Sequence, residues 1–186
     1  MKKTDITLAA LTGGYPAGFR IALKLVLDWE CELNHVTGDI EWENVPDDSG
    51  GPTFAGLLLK TGEVTRDATP HDICQVYFLN YWQKLAGLPV LVQEMAFFMG
   101  VNIGIGAAVR FLQFALINYG ARLNVDGILG DKTCQAAYAV SDTDGLCMLF
   151  LGKLKRHYEE LAQRPGQAKF LAGWLNRVEA AKGLMN

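Results

Sequence analysis

Residues 89–118 read PVLVQEMAFFMGVNIGIGAAVRFLQFALIN and contain only two charged side chains. Pro89 suits the first position of a helix, because its ring fixes φ near the helical value and the missing N–H is not needed there. The residues from there to about Gly100 are apolar on nearly every face, which is typical of a helix at the centre of a protein. The glycine-rich segment 100–106 predicts a break, and residues 107–118 predict a second apolar helix. We therefore expect a mainly α-helical protein built around these buried helices.

Amphipathic segments on either side predict further helices. They are expected at residues 18–30, 70–87, 131–138, 142–163 and 167–181. Between the first two, residues 34–53 are rich in Asp, Glu, Asn, Gly and Pro and predict one long loop. Residues 35–42 within it can form a small β-hairpin. A loop of this length in a compact domain is more often functional than idle.

The predicted helix 18–30 ends on a carboxylate that lies on its apolar face. Charged residues recur every four positions and mark the exposed side, whereas Leu23 and Val26 belong to an apolar stripe that Glu30 continues. A carboxylate held against apolar side chains resists ionisation, so we expect the pKa of Glu30 to exceed the usual value of about 4.3. A carboxylic acid that keeps its proton near neutral pH is suited to act as the general acid in glycoside cleavage.

The composition excludes several classes of protein. The 186 residues carry a net charge of −3, which argues against non-specific nucleic-acid binding, since that usually needs a basic face. The sequence has no apolar run of about 18 residues and no apolar segment with a cleavage site after Lys2 and Lys3, so neither a membrane span nor a secretory signal is expected. Four cysteines form no C-x-x-C pair, and three histidines lack metal-ligand spacing. We expect reduced, structural thiols, no metal and no cofactor.

Several motifs occur in an order and spacing that together resemble one protein family. The first part has LDWE at 27–30 and an Asp-x-Gly-Gly-x-Thr element at 48–53, with Gly56 three residues on. The later parts have YW at 81–82, VNIGIGAA at 101–108, a Val-Asp-Gly-Ile-x-Gly-x-x-Thr signature at 125–133 and Phe-x-x-Gly-Trp-x-x-Arg at 170–177. In these features the sequence is similar to the bacterial and phage N-acetylmuramidases of glycoside hydrolase family 108, which carry a predicted peptidoglycan-binding segment at the C-terminal end.

The resemblance implies a lysozyme-like helical fold with one long active-site loop or small β-hairpin. It implies cleavage of the bond between N-acetylmuramic acid and N-acetylglucosamine, with Glu30 as the proton donor. Asp48 would be the second carboxylate, and Thr53 would orient a water molecule or the substrate. Residues 1–100 would form the catalytic part and residues 101–186 the peptidoglycan-binding part, packed as one compact unit.

The residues around Glu30 depart from the family pattern, and alternatives for both carboxylates stay open. Cys31-Glu32-Leu33 stands where the family usually has Gly-Gly-Tyr, so Glu32 is an alternative proton donor. Asp47 and Asp39 are alternatives to Asp48, which can also cap the turn that follows it through a side-chain hydrogen bond.

Tyr81, Trp82 and Asn102 are the candidate substrate-binding residues. Aromatic faces pack against the apolar faces of sugar rings, but packing in the core explains Tyr81 and Trp82 equally well. Asn102 lies in the glycine-rich break, where it can bind a sugar or satisfy exposed helix ends. The Asp126-Gly127 pair of the later signature is either a binding element or a structural turn.

The expected partner is the glycan strand of peptidoglycan. A protein made in the cytoplasm without a secretory signal would need a holin or a secretion system to act in the periplasm or at the cell wall, and an immunity protein is a further candidate partner. A prophage endolysin and a secreted antibacterial effector both fit. Two other functions also fit: a non-catalytic wall-binding or secretion-associated protein with the same fold, and cleavage of a related polymer such as chitosan.

Overall fold

The computed structural model describes residues 1–31, 33–34, 36–43, 52–58, 63–65 and 67–185. Within these residues the fold is mainly α-helical, with eight α-helices and one small three-stranded antiparallel sheet. The predicted fold class is confirmed. The chain divides into two compact units, Met1–Gln83 and Lys84–Asn186, which are described one after the other.

The first unit contains three α-helices and the sheet. Its elements are α1 (Lys3–Thr12), α2 (Ala17–Glu30), β1 (Trp42–Glu43), β2 (Thr53–Phe54), β3 (Leu57–Leu58) and α3 (Pro70–Tyr77). A π-helical turn, Phe78–Trp82, and a 3₁₀ turn, Gln83–Leu85, follow α3. The helix predicted from residue 70 to 87 therefore follows the expected path but changes its backbone hydrogen bonding after Tyr77.

Helix α2 lies where the apolar stripe predicts it. Leu23 and Val26 are fully buried, and α1 packs against both α2 and α3. Asp28, on the polar side of α2, accepts a hydrogen bond from Lys3 Nζ at 2.6 Å. On the apolar side of α1, the Cys74 thiol of α3 donates to the carbonyl oxygen of Ile6 at 3.2 Å. The first contact ties α1 to the last turn of α2, which carries the predicted proton donor, and the second ties α1 to α3.

The start of α3 has the cap that the sequence indicates. The backbone N–H of Thr69 donates to Asp72 Oδ2 at 2.8 Å, and the N–H of Asp72 donates to Thr69 Oγ1 at 3.3 Å. This reciprocal capping box satisfies backbone donors that have no partner inside the helix, and Pro70 occupies the first helical position.

The sheet has the order β1-β2-β3, and both pairs of strands are antiparallel. Trp42 pairs with Phe54 across β1 and β2, and Phe54 pairs with Leu57 across β2 and β3. Among the described residues of the predicted hairpin 35–42, before β1 begins at Trp42, the structure has isolated bridges from Asp39 to Lys2 and from Ile40 to Leu33. Regular pairing therefore begins at the end of that segment and runs on to residue 58.

The regular secondary structure of the second unit is entirely helical among its described residues. Its helices are α4 (Val90–Ile103), α5 (Ile105–Asn118), α6 (Asp131–Ala139), α7 (Thr143–Ala162) and α8 (Leu171–Ala181), with 3₁₀ turns at Ala168–Phe170 and Lys182–Met185. Helix α4 is buried from Val92 to Gly100, as its composition predicts. In the part of the chain that the structure describes, no helix combines the length and apolarity needed to cross a membrane.

The break between α4 and α5 differs from the prediction. The sequence predicts an end at about Gly100, but α4 continues to Ile103 and only Gly104, with φ of 83°, separates the two helices. Gly100 lies inside α4, where a Cβ would be only 2.6 Å from the Ile105 side chain, so the glycine permits a close contact instead of ending the helix. The predicted functional boundary at residue 100 falls inside α4, whereas the compact units divide after Gln83. The assignment of a catalytic and a binding part stays a prediction.

Candidate functional site

Glu30 is the last residue of α2 and is half-buried. Gly56, in the turn between β2 and β3, lies directly against it. A Cβ built at Gly56 would be 2.7 Å from the Cβ of Glu30 and 3.4 Å from its Cγ, whereas real Cβ contacts are essentially never shorter than 3.0 Å. The φ of Gly56 is 78°, which independently favours glycine. The glycine three residues after the Asp-x-Gly-Gly-x-Thr element therefore packs on the predicted proton donor.

The turn that carries Gly56 is held in place by Tyr77. Ala55 and Gly56 both have positive φ, 51° and 78°, as the two central residues of a type I′ hairpin turn do. A left-handed conformation costs a residue with a Cβ about 1–2 kcal/mol, so Ala55 needs support from its surroundings. The Tyr77 hydroxyl supplies it by donating a hydrogen bond to the Ala55 carbonyl oxygen.

The environment of Tyr77 keeps this hydroxyl protonated. The side chain is fully buried, and burial raises the pKa of Tyr77 well above its ordinary value. The nearby carboxylates of Glu30 and Glu63 raise the pKa of Tyr77 further. The phenol therefore acts as a permanent hydrogen-bond donor that links the end of α3 to the turn between β2 and β3.

Glu63 is a second carboxylate of this region, and sequence reasoning missed it. Its Oε2 accepts the backbone N–H of Leu58 at 3.1 Å, and its Oε1 accepts the Tyr81 hydroxyl at 2.9 Å. Burial raises the pKa of Tyr81, and the Glu63 charge raises it further. No motif marks Glu63, because its relation to Tyr81 and to β3 exists only in the folded chain.

The remaining predicted catalytic residues fall in different places. Thr53 begins β2, is half-buried and pairs with Leu58, so it belongs to the same hairpin as Gly56. Asp48 and the alternatives Asp47 and Glu32 lie outside the described residues, and their roles stay predictions.

Asp39, the other alternative to Asp48, is engaged elsewhere. Its Oδ1 accepts a hydrogen bond from the Met1 amino group at 3.0 Å. Hydrogen bonds from that amino group and from Thr37 hold the pKa of Asp39 below its usual value. The carboxylate is therefore ionised and bound to the start of the chain.

Tyr81 and Trp82 lie on the π-helical turn but in different environments. Trp82 is only 6% exposed, and its ring packs edge-on against Phe19 at 5.7 Å between centroids. This burial favours the core-packing interpretation of Trp82. Tyr81 is half-buried, with its hydroxyl on Glu63. Contact of either ring with a sugar stays a prediction.

Asn102 belongs to the second unit, near the end of α4. Its Oδ1 accepts a hydrogen bond from the hydroxyl of Tyr158 at 2.6 Å. The Tyr158 ring is buried and stacks on Trp174, with 5.2 Å between centroids and 18° between the ring planes. This contact favours the structural interpretation of Asn102, and its predicted role in substrate binding stays a prediction.

The Asp126-Gly127 turn is built on one buried amide. Gln113 is 1% exposed, and its Nε2 donates to Asp126 Oδ1 at 2.9 Å and to the Ile128 carbonyl oxygen at 3.1 Å. Its Oε1 accepts the N–H of Gly127, also at 2.9 Å. The hydrogen bond from Gln113 and one from the Ile128 backbone hold the pKa of Asp126 below its usual value. The turn is therefore rigid, and Gln113 is a residue that sequence reasoning missed.

The residue after Glu30 is an unreactive thiol. Burial raises the pKa of Cys31 from 9.0 to about 12, with Lys3 lowering it and Glu30 raising it by smaller amounts. All four cysteines are free. Among the described residues no three His, Cys, Asp or Glu side chains are grouped as a metal site would require.

Comparison with known proteins bears on the two parts differently. Residues 107–179 match the family model described as "Predicted Peptidoglycan domain". This range contains the signatures at 125–133 and 170–177, so the predicted similarity of this part to a peptidoglycan-binding segment is confirmed. No curated protein matched the chain. The solved structure of SagA from Brucella abortus is 24% identical, with a TM-score of 0.70, and the match covers 89% of this chain and 91% of that one. At that identity the likeness establishes the fold.

Proposed function

We propose that the chain is a peptidoglycan hydrolase, an N-acetylmuramidase, in which Glu30 is the general acid. The observation that carries the proposal is the packing of Gly56 on Glu30. It brings the turn between β2 and β3, which follows the Asp-x-Gly-Gly-x-Thr element in the sequence, onto the helix end that carries the acid. The match of residues 107–179 to a peptidoglycan domain supports the choice of polymer.

In the proposed reaction the Glu30 carboxylic acid gives its proton to the glycosidic oxygen while the bond from that oxygen to the anomeric carbon breaks. A second carboxylate, proposed to be Asp48, stabilises or attacks the positively charged sugar from the other face. Water then supplies a hydroxyl group to the anomeric carbon, and its remaining proton returns to a carboxylate. Thr53 would orient this water or the substrate, since it lies on the hairpin that packs on Glu30.

Glu63 has a different role in this proposal. Its two carboxylate oxygens each accept a hydrogen bond, one from the backbone N–H of Leu58 and one from the Tyr81 hydroxyl. Through these bonds Glu63 ties Tyr81 to the backbone of β3. We assign it the positioning of Tyr81, whose ring would contact the sugar.

The test compares digestion of purified sacculi by the wild-type protein and by Glu30→Gln. Loss of a general acid typically costs a factor of about 10²–10⁴ in rate, so we expect muropeptide release by Glu30→Gln to fall at least about 100-fold. Glu41→Gln is the matched control, because Glu41 is exposed and its contact with Asn34 survives the substitution. Equal release by the wild type and Glu30→Gln would remove Glu30 from the mechanism.

The identity of the released ends tests the bond that is cleaved. A muramidase leaves N-acetylmuramic acid at the new reducing end, which borohydride reduction and mass spectrometry identify. N-acetylglucosamine at that end would contradict the proposed specificity. Activity on chitosan alone would make chitosan the substrate in place of peptidoglycan.

A non-catalytic wall-binding protein is the second candidate. One observation favours it: the matched family model covers residues 107–179 and not the part that contains Glu30. Retention on sacculi without release of muropeptides by the wild-type protein would establish this candidate. In either case the proposed place of action is the periplasm or the cell wall, with a holin or a secretion system as the proposed route and an immunity protein as a proposed partner.

A further inference from the structure

A groove in the second unit combines two cations with small apolar side chains. Helix α6 and the segment that follows α5 line a cavity of about 520 Å³. Arg122 and Lys132 are the only charged residues among the described residues that line it, and both are exposed. The small side chains of Ala136 and Ala139 also line it. This groove therefore fits a ligand that is anionic and carries small apolar groups.

A second depression adjoins the first and carries charges of both signs. Its volume is about 400 Å³, and Arg122, Leu123 and Lys132 line both depressions. The second one adds the carboxylates of Asp126 and Asp131. The two cations thus line both depressions, whereas the two carboxylates line only the second. This arrangement suits a ligand with carboxylates at one end and an ammonium group towards the other.

The backbone of the groove is held before any ligand arrives. The N–H of Ala121 donates to the carbonyl oxygen of Leu116 at 3.1 Å, which fixes the chain as it leaves α5. The buried Gln113 amide fixes the Asp126-Gly127 turn on the other side. Because these segments are already ordered, little conformational entropy is lost on binding.

The cations are available to a ligand. Neither Arg122 nor Lys132 forms an ion pair with another residue of the described ranges. The chain as a whole has a net charge of −3, which disfavours a long polyanion spread over its surface. A short ligand that places its negative charges at this one place avoids that repulsion.

We propose that the two depressions bind the peptide stem of peptidoglycan, through its free carboxylates, rather than the sugar chain. The inference rests on the proposed function in taking peptidoglycan as the target. Stem peptides contain alanine, free carboxylates and a diamino acid. Arg122 and Lys132 would bind the carboxylates, the alanine methyl groups would lie on Ala136 and Ala139, and the ammonium group would face Asp131.

The test measures binding of the synthetic peptide Ala-γ-Glu-diaminopimelate-Ala to the full chain by calorimetry. We expect the Arg122→Gln/Lys132→Gln variant to bind about three- to tenfold more weakly, since exposed ion pairs contribute modestly. The control variant Arg156→Gln/Arg164→Gln removes the same charge from exposed positions outside the groove and keeps wild-type affinity. The same peptide with its carboxylates amidated binds the wild type as weakly as the free peptide binds the groove variant.

The inference would be overturned by equal binding of the peptide to the wild type and the groove variant, by an equal loss of affinity in the control variant, or by undiminished binding of the amidated peptide. Inorganic phosphate and chitotetraose are added as competitors. Displacement of the peptide by phosphate at similar concentration would indicate a general anion site, and displacement by chitotetraose would assign the groove to sugar. Because the peptide contains no glycosidic bond, failure of the hydrolase proposal leaves this result interpretable.

Discussion

Gly56 and Glu30 are in direct contact, with 2.7 Å between the Cβ of Glu30 and the point where a Cβ of residue 56 would lie. The two residues come from different elements, the end of α2 and the turn between β2 and β3. Their contact makes the position of the carboxylate depend on the conformation of the hairpin. The first two predictions test this dependence.

Gly56→Ala is expected to lower both stability and activity. The new methyl group would meet Glu30 and the Tyr77 hydroxyl, and φ of 78° is strained for alanine, so we expect a loss on the order of 2 kcal/mol. Muropeptide release should fall by about tenfold or more, since small displacements of a catalytic group are costly. Gly14→Ala is the control, with φ of 73° but nothing within 4 Å. Equal melting temperatures and rates in both variants would show that the contact is unimportant.

Tyr77→Phe is expected to destabilise the first unit by about 1–3 kcal/mol. The substitution removes only the hydroxyl group, so the Ala55 carbonyl oxygen loses the hydrogen bond from Tyr77 in a buried place. Tyr138→Phe is the control, because that hydroxyl also donates to a carbonyl oxygen, of Leu88 at 3.4 Å, but its side chain is 65% exposed. Urea unfolding measures the free energy of unfolding of both variants. A Tyr77→Phe midpoint as close to the wild type as that of the control would contradict the assigned role of the hydroxyl.

Asn102 and Tyr158 are expected to act as one structural pair. Asn102→Ala and Tyr158→Phe should each destabilise the protein by about 1 kcal/mol, and the double variant should lose less than the sum, because both remove the same hydrogen bond. Asn176→Ala, at an exposed helical position, is the control for the loss of an amide. Unchanged stability of Asn102→Ala together with weaker binding to glycan would instead establish the predicted substrate role.

Stability is expected to fall in alkaline solution because of the buried thiols. The pKa of Cys31 is about 12 in the folded protein and near 9.0 in the unfolded chain, so above pH 9 the unfolded state releases a proton that the folded state keeps. The free energy of unfolding then decreases as the pH rises, by up to about 1.4 kcal/mol per pH unit for each such thiol. Below pH 9 both states are protonated and this contribution is complete.

The measurement is urea unfolding at pH 7, 9, 10 and 10.5. The decline above pH 9 should be shallower in Cys31→Ala than in the wild type. Cys134→Ala, whose thiol is less buried, should decline almost as steeply as the wild type. Parallel curves for Cys31→Ala and the wild type would show that Cys31 is accessible to solvent in the folded state.

Much of the helical structure could be predicted because its signals are local. The apolar stripe predicts α2, and Thr69, Pro70 and Asp72 predict the start of α3, since a helix cap involves residues three positions apart. The end of α4 was predicted wrongly at Gly100. A glycine signals either a break or a close approach of two helices, and only the position of Ile105 distinguishes the two.

The features of the candidate site also divide into those set by neighbouring residues in the sequence and those set by contacts between distant segments. By itself the sequence determined the helical class and the placement of Glu30 at the end of a helix with an apolar stripe, because helical periodicity depends on neighbours along the chain. Only the tertiary structure decided what surrounds them. It joined Gly56 to Glu30, Tyr81 to Glu63 and Gln113 to the Asp126 turn, because these contacts depend on packing and hydrogen bonds between segments 13 to 26 residues apart in the sequence.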